Sequence, residues 1–144
     1  MSSTVQQLQA GWQEFLRGVA WKHTMTVTTR FPMSRVALRR EIVCGLIRRL
    51  ARNSQHAVDW FYAIEQTTTG HPHAHVLLAG TDILTASEIE RAWKAGMTRV
   101  QALPSDADEA AVYAIAYVLK KVGHDPDDYD LARRWKYRRQ SSVS

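Results

Sequence analysis

Two histidines and one carboxylate are the first residues in this sequence whose types and spacing allow chemistry. His73-Ala-His75 lies in an apolar stretch, residues 73–79, that reads as a strand. Alternate strand residues project to one side, so His73 and His75 stand side by side. Two imidazoles one strand repeat apart can grip one metal ion. Glu65 lies on the preceding strand. If the two strands pair across a loop of odd length, Glu65 falls on the same face, roughly opposite His75. Two imidazoles and a carboxylate leave coordination positions open, as a catalytic metal requires. The alternative is a chance pair of exposed histidines. His71 shares the parity of His73 but sits in the turn beside Pro72, and it reads as a loop residue rather than a ligand.

The second group lies on a helix, Tyr113-Ala-Ile-Ala-Tyr117-Val-Leu-Lys120-Lys121. At about 100° per residue, Tyr113, Tyr117 and Lys120 share one stripe. Val112, Ile115, Leu119 and Val122 form a separate apolar stripe. Such a helix packs through one side and presents two phenols and an ammonium on the other. The alternative is that both tyrosines are amphipathic residues at the edge of the core.

The elements that must position these groups follow from periodicity. Residues 4–19 read as a helix through Val5, Leu8, Trp12, Phe15, Leu16 and Val19. Residues 22–29 alternate and are rich in β-branched side chains. In that strand Met25 and Val27 face the core, and Thr24, Thr26 and Thr28 face the other way. Ser34 caps a long helix to about Asn53 that buries Ile42, Val43, Leu46, Ile47 and Leu50 and leaves its arginines mostly outside. Residues 58–66 form a strand with Trp60, Tyr62 and Ile64 on one face and Phe61, Ala63 and Glu65 on the other. After the histidine strand, Thr85-Ala-Ser-Glu88 makes a capping box for a short helix through Trp93. Residues 97–103 suit a fourth strand. Ser105-Asp-Ala-Asp108 opens the tyrosine helix and Gly123 ends it. The order is β-α-β-β-α-β with flanking helices. It predicts an α+β fold, an antiparallel sheet with helices packed on one face, ferredoxin-like or RRM-like.

Charge points to a polyanion. The 144 residues carry 19 Lys and Arg against 14 Asp and Glu, a balance of +5. The first 60 residues hold nine basic and three acidic groups, and the last twelve hold five basic and none acidic. Between them, residues 61–132 hold five basic and eleven acidic groups. A hydrophobic content of 45% supports one domain with a real core. One cysteine, Cys44, excludes an internal disulfide framework and a multi-cysteine zinc site. No apolar run spans a bilayer, no signal-peptide pattern opens the chain, and no phosphate-binding P-loop is present.

Taken together, Thr24–Thr29 as a first strand motif, Glu65 with His73-Ala-His75, and Tyr117-Val-Leu-Lys120 resemble the HUH endonucleases. More narrowly, the chain is similar to the rolling-circle replication initiator (Rep) proteins of small circular replicons. The resemblance covers residues 22–122. The tyrosine follows the histidines, as in Rep proteins and single-tyrosine transposases, whereas in relaxases it precedes them. Tyr-x-x-x-Tyr-x-x-Lys looks like the two-tyrosine Rep pattern of some single-stranded phages. Ala116 stands where that pattern has a first lysine, so Tyr113 carries less of the motif than Tyr117.

The resemblance implies an HUH nuclease domain over residues 1–144, with a core at about 20–123 and a basic tail at 131–144. It implies metal-dependent nicking and joining of single-stranded DNA at a replication origin or hairpin. Tyr117 would be the nucleophile, forming a 5′-phosphotyrosine, with Tyr113 a candidate second one. Lys120 would stabilise the phosphate, and Glu65, His73 and His75 would hold Mn²⁺ or Mg²⁺. Arg39, Arg133, Arg134, Lys136 and Arg138 would hold phosphates along the strand, and Trp135 and Tyr137 would stack on bases. A separate helicase would unwind the duplex. No membrane is involved, and the cytoplasm is the expected location in a prokaryotic host. Other readings are a single-tyrosine HUH transposase and a non-catalytic RRM-like nucleic-acid-binding module. The module would normally carry aromatic side chains on its open sheet face.

Overall fold

The computed structural model describes residue 14 and residues 16–55, 57–65 and 71–122, with side chains through residue 117. Four strands form one sheet: β1 (Trp21–Thr28), β2 (Asp59–Glu65), β3 (His73–Ala79) and β4 (Thr98–Ala102). Their order is β2-β3-β1-β4, and every neighbouring pair is antiparallel. With helices between β1 and β2 and between β3 and β4, this is the expected α+β, ferredoxin-like core.

The connection from β1 to β2 is continuously helical. Ser34 caps it, its Oγ accepting from the Ala37 N–H at 3.1 Å. The helix runs as α1 (Arg35–Arg40), a π-wound segment (Glu41–Ile47) and α2 (Arg48–Ser54). Gln55, at φ 62°, stops it in the left-handed conformation. α3 (Ala86–Arg91) begins with the expected capping box: Thr85 Oγ1 accepts from the Glu88 N–H, and Glu88 accepts from the Thr85 N–H. α4 (Ala107–Val122) is the tyrosine helix. Its cap is Asp106, whose carboxylate accepts from the Glu109 N–H at 2.9 Å, not Ser105. The predicted amino-terminal helix, the Gly123 stop and the basic tail lie largely or wholly outside the described residues.

The sheet is covered on both faces, not one. On the first face Met25, Val27, Trp60, Tyr62, Ile64, Val76 and Leu78 pack against Leu38, Ile42, Leu46, Ile47 and Leu50 of the long helix. Ile89 and Trp93 complete that layer. On the second face Trp21, Phe61, Ala63, Leu77 and Ala79 pack against Leu16, Val19 and Ala114. The division follows the period-two alternation read from the sequence.

One close approach fixes the end of β1. A Cβ on Gly96 would lie 2.2 Å from the Thr28 carbonyl oxygen, so only glycine fits there. The Thr28 N–H donates to the Met97 carbonyl, and Trp93 Nε1 donates to the Thr28 carbonyl, each at 2.9 Å. This seats the start of β4 against β1. No helix among the described residues is long and apolar enough to cross a membrane.

Candidate active site

The second sheet face carries the polar residues, and strand register arranges them in rows. Ala63, His75, Thr26 and Arg99 pair successively across β2, β3, β1 and β4. The next row is Glu65, His73 and Thr28, and the row on the other side is Phe61, Leu77, Thr24 and Gln101. Directly opposed residues share a face, so Glu65, His73, His75, Thr26 and Arg99 all project to the α4 side. The sequence predicts Glu65 on this face and opposite His75. The face is as expected, but the register sets Glu65 opposite His73, two residues away along β3. Its carboxylate still reaches His75 diagonally, with Oε1 3.2 Å from Nε2.

α4 does not pack as its large apolar residues predict. Ala110 and Ala114 are its buried positions, whereas Val112 is 66% exposed. Alanines leave little bulk between helix and sheet, so Tyr117, three residues beyond Ala114, lies over the sheet rather than away from it. Its hydroxyl sits 3.1 Å from Thr26 Oγ1 and 3.2 Å from His75 Nδ1. The Met25 carbonyl oxygen, 3.3 Å away, can accept the phenol proton. The His75 and Tyr117 rings meet edge to face at 5.7 Å. Burial pushes the Tyr117 phenol above its ordinary pKa, and the Thr26 hydrogen bond offsets part of that rise.

The result is a chain of contacts, Glu65–His75–Tyr117. The imidazole is 6% exposed and touches the carboxylate through Nε2 and the phenol through Nδ1. With its proton on Nε2, His75 donates to Glu65 and can take the phenol proton at Nδ1. With its proton on Nδ1, it donates to the phenol and leaves Nε2 free for a metal. The donor set suits a divalent ion. Adjacent ligands about 2.1 Å from an octahedral cation lie about 3 Å apart, close to the Glu65–His75 separation. His73 is half-buried on the same face. Among the described residues no three such groups are already closed into a metal cluster.

The remaining candidates are dispersed. Tyr113 is 57% exposed and lines an open groove of about 500 Å³ with Thr24, Gln101, Ala102, Leu103, Pro104 and Tyr117. Lys120 belongs to α4, but its side chain lies outside the described residues. Arg39 is exposed on α1, in the helical layer that covers the first face, across the sheet from Tyr117. Arg133, Arg134, Lys136 and Arg138 lie outside the described residues. His71 is tied down locally, its Nδ1–H donating to the Thr29 carbonyl at 3.2 Å. Sequence reading does not single out Arg99 and Gln101. Once Val100 is recognised as the buried residue of β4, its two neighbours must face the other way.

An antiparallel ferredoxin-like sheet with this polar face defines a Rep-like protein. The chain belongs to the ORF2 family of replication-associated proteins, whose model matches residues 19–122. Its fold is similar to the crystal structure of the hypothetical protein ORF119 from Sulfolobus islandicus rod-shaped virus 1. The TM-score is 0.54 at 15% identity, over 78% of this chain and 92% of that one. No curated protein matches the sequence.

Proposed function

We propose that the chain nicks and rejoins single-stranded DNA to initiate rolling-circle replication, with Tyr117 as nucleophile. One observation carries the reading: the Tyr117 hydroxyl lies within hydrogen-bond reach of an imidazole that is itself oriented by a carboxylate. Nucleophile, base and orienting group in sequence are the arrangement of an activated nucleophile. The raised phenol pKa explains the need for it, because an isolated phenol is protonated at neutral pH.

In this mechanism the Tyr117 oxygen attacks the scissile phosphorus and its proton passes to His75 Nδ1. The bond from phosphorus to the 3′-oxygen breaks, and that oxygen leaves as a hydroxyl after taking up a proton. A 5′-phosphotyrosyl protein remains, and a later 3′-hydroxyl reverses the step and frees the phenol. Glu65 holds the imidazole by its Nε2 side, and Thr26 fixes the phenol oxygen above β1. Glu65, His75 and His73 would hold Mn²⁺ or Mg²⁺, which when bound supplies positive charge to the non-bridging phosphate oxygens. Lys120, one turn beyond Tyr117, would add a cation to the same phosphate. Family membership favours replication initiation over transposition by the same chemistry. An origin strand as substrate and a separate helicase complete the proposal.

The test is incubation with a pool of labelled single-stranded oligonucleotides and Mn²⁺, followed by denaturing electrophoresis. The expected outcome is a covalent adduct that maps to Tyr117 by mass spectrometry and disappears in Tyr117→Phe. An adduct that survives both Tyr117→Phe and the double variant with Tyr113→Phe would sink the tyrosine mechanism. Retained strand binding with no adduct at all would favour a non-catalytic module.

A further inference from the structure

The edge strand β4 presents two groups that the proposed chemistry leaves unused. Arg99 stands directly across from Thr26, one strand spacing of about 4.8 Å from the backbone beneath the Tyr117 hydroxyl. It is exposed, and among the described residues no hydrogen bond or ion pair engages its guanidinium. It is also the only Arg or Lys in the three described rows of this sheet face. Two residues along β4, Gln101 lies on the same face and lines the groove beside Tyr117.

Tyr113 forms another wall of that groove. Unlike Tyr117, it has no hydrogen bond to an imidazole or to any other described group. Its ring is exposed and its hydroxyl has no base to activate it. What it offers is an aromatic face. Leu103 and Pro104 supply apolar surface nearby, and Gln101 supplies an amide that can both donate and accept. A planar heterocycle with polar edges matches this lining.

We infer that β4 and the groove form a subsite for one nucleotide next to the scissile phosphate. Arg99 holds the phosphate, Tyr113 stacks on the base and Gln101 hydrogen-bonds its edge. This makes Tyr113 a recognition residue rather than a second nucleophile. The subsite rests on the proposed nuclease reading, because Tyr117 marks where the strand must lie.

The test compares binding of labelled homopolymeric oligodeoxynucleotides with binding of an abasic strand of equal length, by anisotropy in metal-free buffer. The protein should prefer base-bearing strands. Tyr113→Ala should remove roughly tenfold of that preference, the size expected for one stacked base, and Tyr113→Phe should restore it. Gln101→Ala should alter the ranking among the four bases. Arg99→Ala should weaken base-bearing and abasic strands alike and lower the salt slope by about one. Equal preference in the parent protein and Tyr113→Ala, or an unchanged salt slope in Arg99→Ala, overturns the subsite. The same preparations with Mn²⁺ report separately on the nuclease reading. A Tyr117 adduct with no base preference leaves the nuclease and removes the subsite. Base preference with no adduct does the reverse.

Discussion

The two faces of the sheet are built from the same four strands and differ in almost everything else. The first face is lined by large side chains, Trp60, Tyr62, Ile64, Val76 and Leu78, that lock into a long helix through Leu46, Ile47 and Leu50. The second face narrows to alanine under α4, then opens into threonines, histidines, a glutamate and an arginine. Close-packed bulk supplies the stability, and its absence under α4 lets a phenol reach the strand backbone. Rigidity on one side therefore holds a reactive surface on the other.

Substitutions can break this division of labour, and the largest effect belongs to the second face. His75→Ala removes the partner of both Glu65 and Tyr117. Adduct formation should fall by at least about a hundredfold, as expected for loss of a positioned base, with little change in the denaturation midpoint. On the first face the pattern reverses. Leu46→Ala, at a fully buried position, should cost about 2–5 kcal/mol in urea unfolding. Adduct yield per folded molecule should be preserved.

Ala114→Leu couples the two properties. It forces bulk between α4 and the sheet, costing about 1–3 kcal/mol. It should also slow adduct formation by lifting Tyr117 from His75. A stability loss without a rate loss would show that α4 does not set the position of the phenol.

The smallest expected effect is a pH dependence. His23 on β1 is buried, its Nδ1 2.7 Å from Thr81 Oγ1. Burial lowers its pKa; Asp82 opposes that shift and Lys22 adds to it. The unfolded chain therefore binds a proton near pH 6.5 that the folded chain resists. Stability from this residue is complete above that pH and declines as pH falls through it. His23→Gln should flatten the decline in urea midpoints measured on acidification.

Much of the scaffold is readable from sequence because strands and caps leave local signatures. The alternation in β1, β2 and β3 predicts which residues share a face, and Ser34 and Thr85 mark helix starts. Register is not readable in the same way. A slip of one residue would turn every side chain to the wrong face, but a slip of two keeps each on its own. That is why the alternation alone sets Glu65 opposite His75, whereas it pairs with His73. The packed side of α4 escapes for a different reason. Alanine contributes little to an apolar stripe, so Val112 and Ile115 outweigh Ala110 and Ala114, although small side chains decide how close a helix approaches. Arg99 needs the pairing of β4 with β1, a long-range fact that no local window contains. The π-wound turn inside the long helix has no compositional mark of its own.

The Thr26–Tyr117 contact joins residues 91 apart in the chain, and the His75–Tyr117 contact joins residues 42 apart. Contacts of such separation form late, after the loops between them have closed. A nascent or partly folded chain therefore has histidines and tyrosines but no reactive pair. Competence to cut DNA arrives with the completed sheet and the docked helix. Tertiary structure is thus the safety catch on the chemistry.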